Sequence, residues 1–428
     1  MGLQDICLDR PILDSGVQSS QPVVKHSIAQ KQLKGEDVVF THEDVSLPDG
    51  DGSLWNVFCV CDGHSGVEAA QFVEQRLWDV LSVKLPKTAP PSQKNDESAR
   101  WGKSIQKAVT ETFIELEREF GQQLNGSGTT VTLLLVCGWV CTLANVGDSD
   151  AVVDTISEID MINVCHRLED NTSEQNRFRA AGEELSRLTA QLSGPFGGEE
   201  GGLGPLRCWP GGLAVSRSIG DSNAGETVVP IPHIRQFFIP SHGLRMILAS
   251  DGLWDVLKYT HAAMLIRRNS VCSCADKLLT CAVYQNGWAF GDDTSVIVVE
   301  VTPSDGDSFE EVARKVRKQK RKVTALRRAF SCAFPTEVEP VEGLAKEKIS
   351  MFADVDGMDV MNDLGQKADS GHCGRLPAQG SDMELFQRRL AEVKEASPEE
   401  VSLNAGRKND LRRLSQDSDE VLLSQATA

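Results

Sequence analysis

Carboxylates recur in this chain at the ends of apolar runs. Asp62-Gly63-His64 closes WNVFCVC, Asp148 follows ANVG, Asp251-Gly252 follows MILAS, Asp292-Asp293 precedes TSVIVVEV, and Glu36-Asp37 stands just before Val38–Phe40. Taken singly, each Asp-Gly reads as a turn, because that dipeptide is common in turns. Taken together, gathered carboxylates repel unless cations neutralise them, and a donor set made only of oxygen selects a hard ion, Mg2+ or Mn2+. His64, two residues after Asp62, stands where an imidazole can exchange a proton beside such a centre. Its alternative is a hydrogen-bonding histidine with no catalytic part.

The elements that must hold these residues read as short buried strands. Apolar, β-branched runs lie at Val38–Phe40, Leu54–Cys61, Thr129–Val136, Trp139–Val146, Arg245–Ala249 and Ser295–Val301, each bounded by Gly, Asp or Ser. Helical spacing appears over Gly66–Leu81, Trp101–Phe120, His261–Arg268 and Cys274–Tyr284. Strands follow one another and helices come in pairs, without the regular alternation of a doubly wound sheet. An α+β fold with stacked mixed or antiparallel sheets and helices outside satisfies this order.

Composition narrows the classes. The 428 residues carry a formal charge of −18, from 62 acidic and 44 basic side chains, which disfavours a nonspecific grip on nucleic acid. No stretch approaches the ~18 apolar residues of a membrane span. Twelve cysteines, with no leading signal segment, read as reduced thiols, so the expected location is cytoplasmic and/or nuclear. Cys272 and Cys274 form an isolated C-x-C with no zinc-type partner pair. The expected organisation is a flexible segment over 1–22, a globular domain over 23–302, and a polar, mostly disordered tail over 303–428 with a basic segment at 314–328. That segment reads as a solvated linker, with nuclear import, a calmodulin-type helix or nucleic-acid binding as other readings.

Seven motifs in order resemble the type 2C family of metal-dependent serine/threonine protein phosphatases. They are KGED (Lys34–Asp37), DGHSG (Asp62–Gly66), SGTT (Ser127–Thr130), NVGDS (Asn145–Ser149), GGLAVSRSIGD (Gly211–Asp221), LASDGLWDVL (Leu248–Leu257) and DDTSVIVV (Asp292–Val299). KGED together with RCWPGG (Arg207–Gly212) is most similar to plant and algal members. The resemblance implies a four-layer α-β-β-α fold, a central β-sandwich flanked by helices, with two Mg2+ or Mn2+ ions in the cleft. It implies that Asp62 bridges them, that the Gly63 carbonyl binds one, that Asp37, Asp251 and Asp292 complete the shell, and that Asp148 and Asp255 help hold a weaker third ion. The implied reaction is hydrolysis of phosphoserine or phosphothreonine in protein substrates by a metal-bridging water or hydroxide, with His64 as general acid. A monomer is expected.

Several positions depart from the family pattern. Gln32 stands where many relatives place a phosphate-clamping arginine, leaving Lys31 or Lys34 to act as a point charge, and Lys34 is the expected phosphate contact. Asp150 replaces an arginine, Cys165 an aspartate and Gly291 an arginine. Arg217 either orients nearby carboxylates or pairs with one as a buried ion. These departures raise an alternative in which the fold is kept as a binding module, a pseudophosphatase; the retained carboxylates oppose it.

Overall fold

The computed structural model describes residues 22–92, 95–123, 125–198, 201–287, 291–331 and 350–360. Strands β1 (Val23–Lys31), β2 (Val38–Ser46), β3 (Leu54–Cys61) and the short β4 (Gly63–His64) precede helices α1 (Glu68–Ser82) and α2 (Asp96–Gly121). Then come β5 (Gly128–Thr129), β6 (Val131–Cys137), β7 (Val140–Val146), β8 (Asp150–Asp154), β9 (Ile159–Met161), α3 (Thr172–Ala180), β10 (Glu184–Leu188) and β11 (Leu203–Trp209). The chain continues through β12 (Ile219–Gly220), β13 (His233–Phe238), β14 (Leu244–Ala249), α4 (Asp251–Trp254), α5 (Tyr259–Ile266), α6 (Cys274–Gln285), β15 (Thr294–Thr302), α7 (Phe309–Ser331) and β16 (Ser350–Asp356).

These residues form two compact units, the first holding 22–165, 217–222 and 230–360. Within it, one sheet has the order β16-β13-β7-β6-β3-β2 and another β1-β15-β14-β8-β9, with every pairing antiparallel. Alternation along each strand sends residues to opposite faces. In β3, Phe58 and Val60 join Leu134, Leu143, Met246, Leu248, Ile297 and Val299 in the core between the two sheets. Trp55, Val57, Cys59 and Cys61 face the other way, into a core with Val73 and Leu77 of α1 and Ile105, Val109 and Phe113 of α2. On the second sheet, Ile247, Val296 and Val298 pack beneath Ala262, Ile266 and Leu278 of α5 and α6. The layers are therefore α-β-β-α, as expected. Because the central strands are covered on both faces, they read in sequence as mostly apolar runs rather than as a regular alternation.

Local signals start the helices. Asn95 caps α2: its side chain accepts the Ser98 N–H at 2.9 Å while the Ser98 hydroxyl accepts the Asn95 N–H at 2.9 Å. This cap places the helix start five residues ahead of the expected Trp101.

The boundary expected at 302 falls short of the folded chain. Residues of the presumed tail supply α7, whose Phe309 and Ala313 are buried with Ile156, and β16, which pairs with β13 from His233↔Asp356 to Phe238↔Ser350. The Arg245 guanidinium lies 4.8 Å from the Phe309 ring centroid and pairs with the buried Glu300, fixing the root of α7. The basic run at 314–328 therefore lies along a helix. Residues 332–349 and 361–428 of the presumed tail, like residues 1–21, lie outside the described residues.

The second unit, residues 166–216 and 223–229, holds α3 and the β10–β11 hairpin around a small core of Leu168, Phe178, Leu185, Leu206 and Cys208. His166, Cys208 and Trp209 belong to it. None of the carboxylates singled out in the sequence does.

Candidate metal centre

All of the expected site residues lie in the first unit, most of them at strand ends, with Lys34 in the β1–β2 loop and Asp255 at the end of α4. Asp62 follows β3 and is held by its backbone: its carbonyl accepts the Thr130 N–H at 2.9 Å and the Thr129 hydroxyl at 3.1 Å. Gly63 pairs with Thr129, and a β-carbon there would stand 2.3 Å from the Glu36 carbonyl oxygen. Only glycine lets the β3–β4 turn approach the 33–37 loop so closely. Asp37 opens β2, Asp148 lies between β7 and β8, Asp251 begins α4, and Asp292 leads into β15. Asp251, Asp255, Asp292, Gly252, Asn286 and Gly291 line a common cavity of about 270 Å3.

Electrostatics identify the centre of the group. Loss of solvent pushes the Asp62 carboxyl well above the carboxylate range, and repulsion from Asp37, Asp251, Asp148 and Asp292 adds to it, in that order. Asp37 is buried, and burial pushes its carboxyl up to about 6 against the opposing influence of the Ser295 and Ser250 hydroxyls. These hydroxyls stand near, but neither Asp37 oxygen has a partner in good hydrogen-bond geometry. A buried carboxylate with both oxygens unsatisfied is costly unless something positive meets it. The donor set is oxygen throughout, so the residues present fit a hard divalent cation. Among the described residues no three Asp, Glu, His or Cys side chains are drawn into a ready-formed cage.

His64 has a partner that the sequence reading assigned no role. Its Nε2 lies 2.8 Å from both carboxyl oxygens of Asp221, the last residue of GGLAVSRSIGD. Asp221 also accepts the Ser218 hydroxyl at 2.6 Å. It adopts φ 57°, and Gly128 leaves room for it, since a β-carbon at Gly128 would fall 2.1 Å from its Oδ2. Burial alone would push the His64 imidazole down, but the Asp221 pair, with help from Asp148 and Glu36, outweighs it and holds the ring above its ordinary value. The imidazolium form is favoured, as a proton donor needs. The only sequence signal was the Gly-Asp ending of that motif, which resembles a turn.

The departures also find places. Gln32 donates its side-chain amide to the Asp37 carbonyl at 3.2 Å, bracing the loop. Lys34 Nζ bonds Asp292 Oδ2 at 2.7 Å, and this bond raises its pKa despite partial burial. The lysine expected to meet phosphate thus pairs with an expected metal ligand in the protein alone. Asp150 accepts the Asn163 side-chain amide at 2.6 Å and so locks β8 to the chain beyond β9. Arg217 grips both carboxyl oxygens of Asp356 at 2.8 and 2.7 Å and the Ile231 carbonyl at 2.9 Å, the buried ion-pair role. Asp356 comes from β16, the strand that the sequence placed in the tail.

The chain is similar to known proteins in sequence. The family model described as Protein phosphatase 2C matches residues 26–287. Probable protein phosphatase 2C 5 of Arabidopsis thaliana is 40% identical over 286 residues, covering 66% of this chain and 63% of that protein. Probable protein phosphatase 2C 33 of Oryza sativa subsp. japonica is 38% identical over 295 residues, covering 68% and 65%. The match thus spans just under two thirds of the length of these relatives. Among solved structures, a serine-threonine phosphatase 2C from Toxoplasma gondii aligns with a TM-score of 0.45 at 18% identity, covering 66% of this chain and 100% of that one. With a family match over more than half its length, the chain belongs to the protein phosphatase 2C family.

Proposed function

We propose that this protein is a metal-dependent serine/threonine protein phosphatase that hydrolyses phosphoserine and phosphothreonine in protein substrates. The observation that carries the reading is the gathering of Asp37, Asp148, Asp251 and Asp292 around Asp62, with both Asp37 oxygens buried and unpartnered. Asp37, Asp62, Asp251, Asp292 and the Gly63 carbonyl would hold two Mg2+ or Mn2+ ions, and Asp148 and Asp255 a weaker third. When bound, such cations offset phosphoryl charge and make water a stronger nucleophile at neutral pH.

The chain's own groups supply the rest. His64, whose imidazolium form the Asp221 pair favours, donates its proton to the departing serine or threonine oxygen. Asp221 fixes the ring through Nε2, and the Ser218 hydroxyl in turn fixes Asp221. Lys34, partly exposed beside Asp292, would offer its ammonium to the substrate phosphate as a point charge in place of the arginine absent at Gln32.

Phosphate release from a phosphothreonine peptide, measured with Mn2+ or Mg2+ and with chelator beside an Asp251→Ala variant, tests this. Metal-dependent turnover lost in the variant is expected. Well-folded protein with no turnover at millimolar metal would favour the pseudophosphatase reading, which the Lys34–Asp292 pair and Gln32 support.

A further inference from the structure

Of the adjacent pair Asp292-Asp293, only Asp292 has a part in the proposed centre. Asp293 is 3% exposed at the entry to β15, and its carboxylate is saturated by backbone amides from a segment more than 250 residues away in sequence. Its Oδ1 accepts the N–H groups of Leu33 at 2.5 Å and Lys34 at 2.7 Å. Its Oδ2 accepts those of Gly35 at 2.9 Å, Glu36 at 2.7 Å and Asp37 at 3.3 Å. Five consecutive amides pointing at one spot form the concavity that elsewhere binds a free anion. Here a side chain of the same protein fills it. Gly35, at φ 83°, supplies the left-handed step that curls the loop around the carboxylate.

A carboxylate offers about four lone-pair sites, so five donors leave Asp293 nothing with which to hold a cation. Its effect on the centre is mechanical. The amide of Asp37 itself is one of the five, and the Glu36 carbonyl next to it lies against Gly63. On the other side the Asp251 turn rests on the same residue, since a β-carbon on Gly252 would sit 2.1 Å from the Asp293 carbonyl oxygen. Asp292 is its chain neighbour and receives the Asp293 N–H at 2.8 Å. One residue therefore touches the three segments that carry Asp37, Asp251 and Asp292, none of which is close to the other two in sequence apart from this junction.

We propose that Asp293 is a positioning residue that sets the spacing of the metal-binding carboxylates by clamping the 33–37 loop, an inference that rests on the metal-dependent reading above. Both of its oxygens must accept, so Asp293→Asn is the informative change. An asparagine keeps one acceptor for Leu33 and Lys34 but turns an NH2 donor toward the amides of Gly35, Glu36 and Asp37. Gly35→Ala strains the same loop by a different route, with open space around the added methyl, and serves should the first variant fold poorly.

The test measures Mn2+ binding by titration calorimetry and amide hydrogen exchange on the intact chain, in wild type and both variants. The expected result for Asp293→Asn is a cooperative fold, loss of exchange protection confined to residues 33–37, and Mn2+ affinity lower by about tenfold or more. Gly35→Ala is expected to weaken Mn2+ in the same direction. Wild-type affinity retained in both variants overturns the positioning role while leaving the metal reading in place. Wild-type protein that binds no Mn2+ overturns the metal reading and this one with it.

Discussion

Glu117 gives the sharpest quantitative expectation. It lies on α2 and accepts the Gly220 N–H at 2.6 Å, next to the residue that holds His64. Burial pushes its carboxyl from 4.5 up to about 7, against the pull of the Gly220 amide and with a further push from Asp221. The folded state therefore binds this proton more tightly than the unfolded state does. Stability from that proton is present in full below pH about 4.5, declines as pH rises, and is gone once pH has passed about 7. A displacement of about 2.5 units at 1.36 kcal/mol per unit is about 3 kcal/mol, and partial solvent screening reduces it to about 1–3 kcal/mol. Glu117→Gln keeps an acceptor for Gly220 and removes the titration. All other groups titrate alike in the two proteins, so urea unfolding at pH 5 and pH 8 isolates this one. The stability difference between variant and wild type is expected to move in the variant's favour by about 1–3 kcal/mol across that interval. Parallel pH dependences in the two proteins would refute the placement of Glu117 as a carboxyl held protonated against Gly220.

Other changes probe the centre from different sides. Asp221→Asn keeps a contact to His64 but removes its charge partner, so kcat on a phosphopeptide should fall by about ten- to a hundredfold, with the alkaline limb of the pH–rate profile moving to lower pH because the imidazole loses its proton sooner. Gly252→Ala drives a methyl to 2.1 Å from the Asp293 carbonyl oxygen and 2.6 Å from Thr294 Oγ1; a lower urea midpoint, equivalent to about 1–3 kcal/mol, is expected. Asp356→Ala takes the carboxylate from Arg217, which is 3% exposed, and should cost about 1–3 kcal/mol in the same assay; an unchanged midpoint would mean that β16 does not stabilise the sheet. Mn2+ at a hundredfold over its dissociation constant should raise stability by about 2.7 kcal/mol, reversed by chelator, as read from the melting temperature.

Strands covered on both faces were the easiest elements to read, because β3, β6, β7, β14 and β15 carry runs rich in apolar, β-branched residues. The first strand, VVKHSIAQK, is mixed in polarity, and it forms because β15 offers nine consecutive backbone partners from Val23↔Thr302 to Lys31↔Thr294. The same holds for β16. Its sequence, SMFADVD, lies in a polar region, and what makes it a strand is the open edge of β13 together with the Arg217 guanidinium waiting for Asp356. Composition reports the apolar content of a segment and says nothing of a distant edge that needs a partner. That is why the boundary placed at 302 excluded two elements of the fold.

The site was legible to the same depth. Acidic residues at strand ends could be picked out one at a time, but their roles depend on what faces them, and that is set by loops far apart in the chain. Asp292 and Asp293 make the point within one dipeptide. Asp293 meets five N–H dipoles, which already supply the positive end that an ionised carboxylate requires. Asp62, equally a carboxylate after an apolar strand, meets four other carboxylates, and Asp37 meets only the Ser295 and Ser250 hydroxyls, neither in good hydrogen-bond geometry. A cation brought to Asp293 would have to displace hydrogen bonds that are already made, whereas one brought between Asp37 and Asp62 relieves both repulsion and an unmet desolvation cost. Under the proposed metal-dependent reading a divalent ion would therefore be favoured beside Asp62 rather than at Asp293, and the amides gathered on Asp293 would serve to hold the 33–37 loop in register.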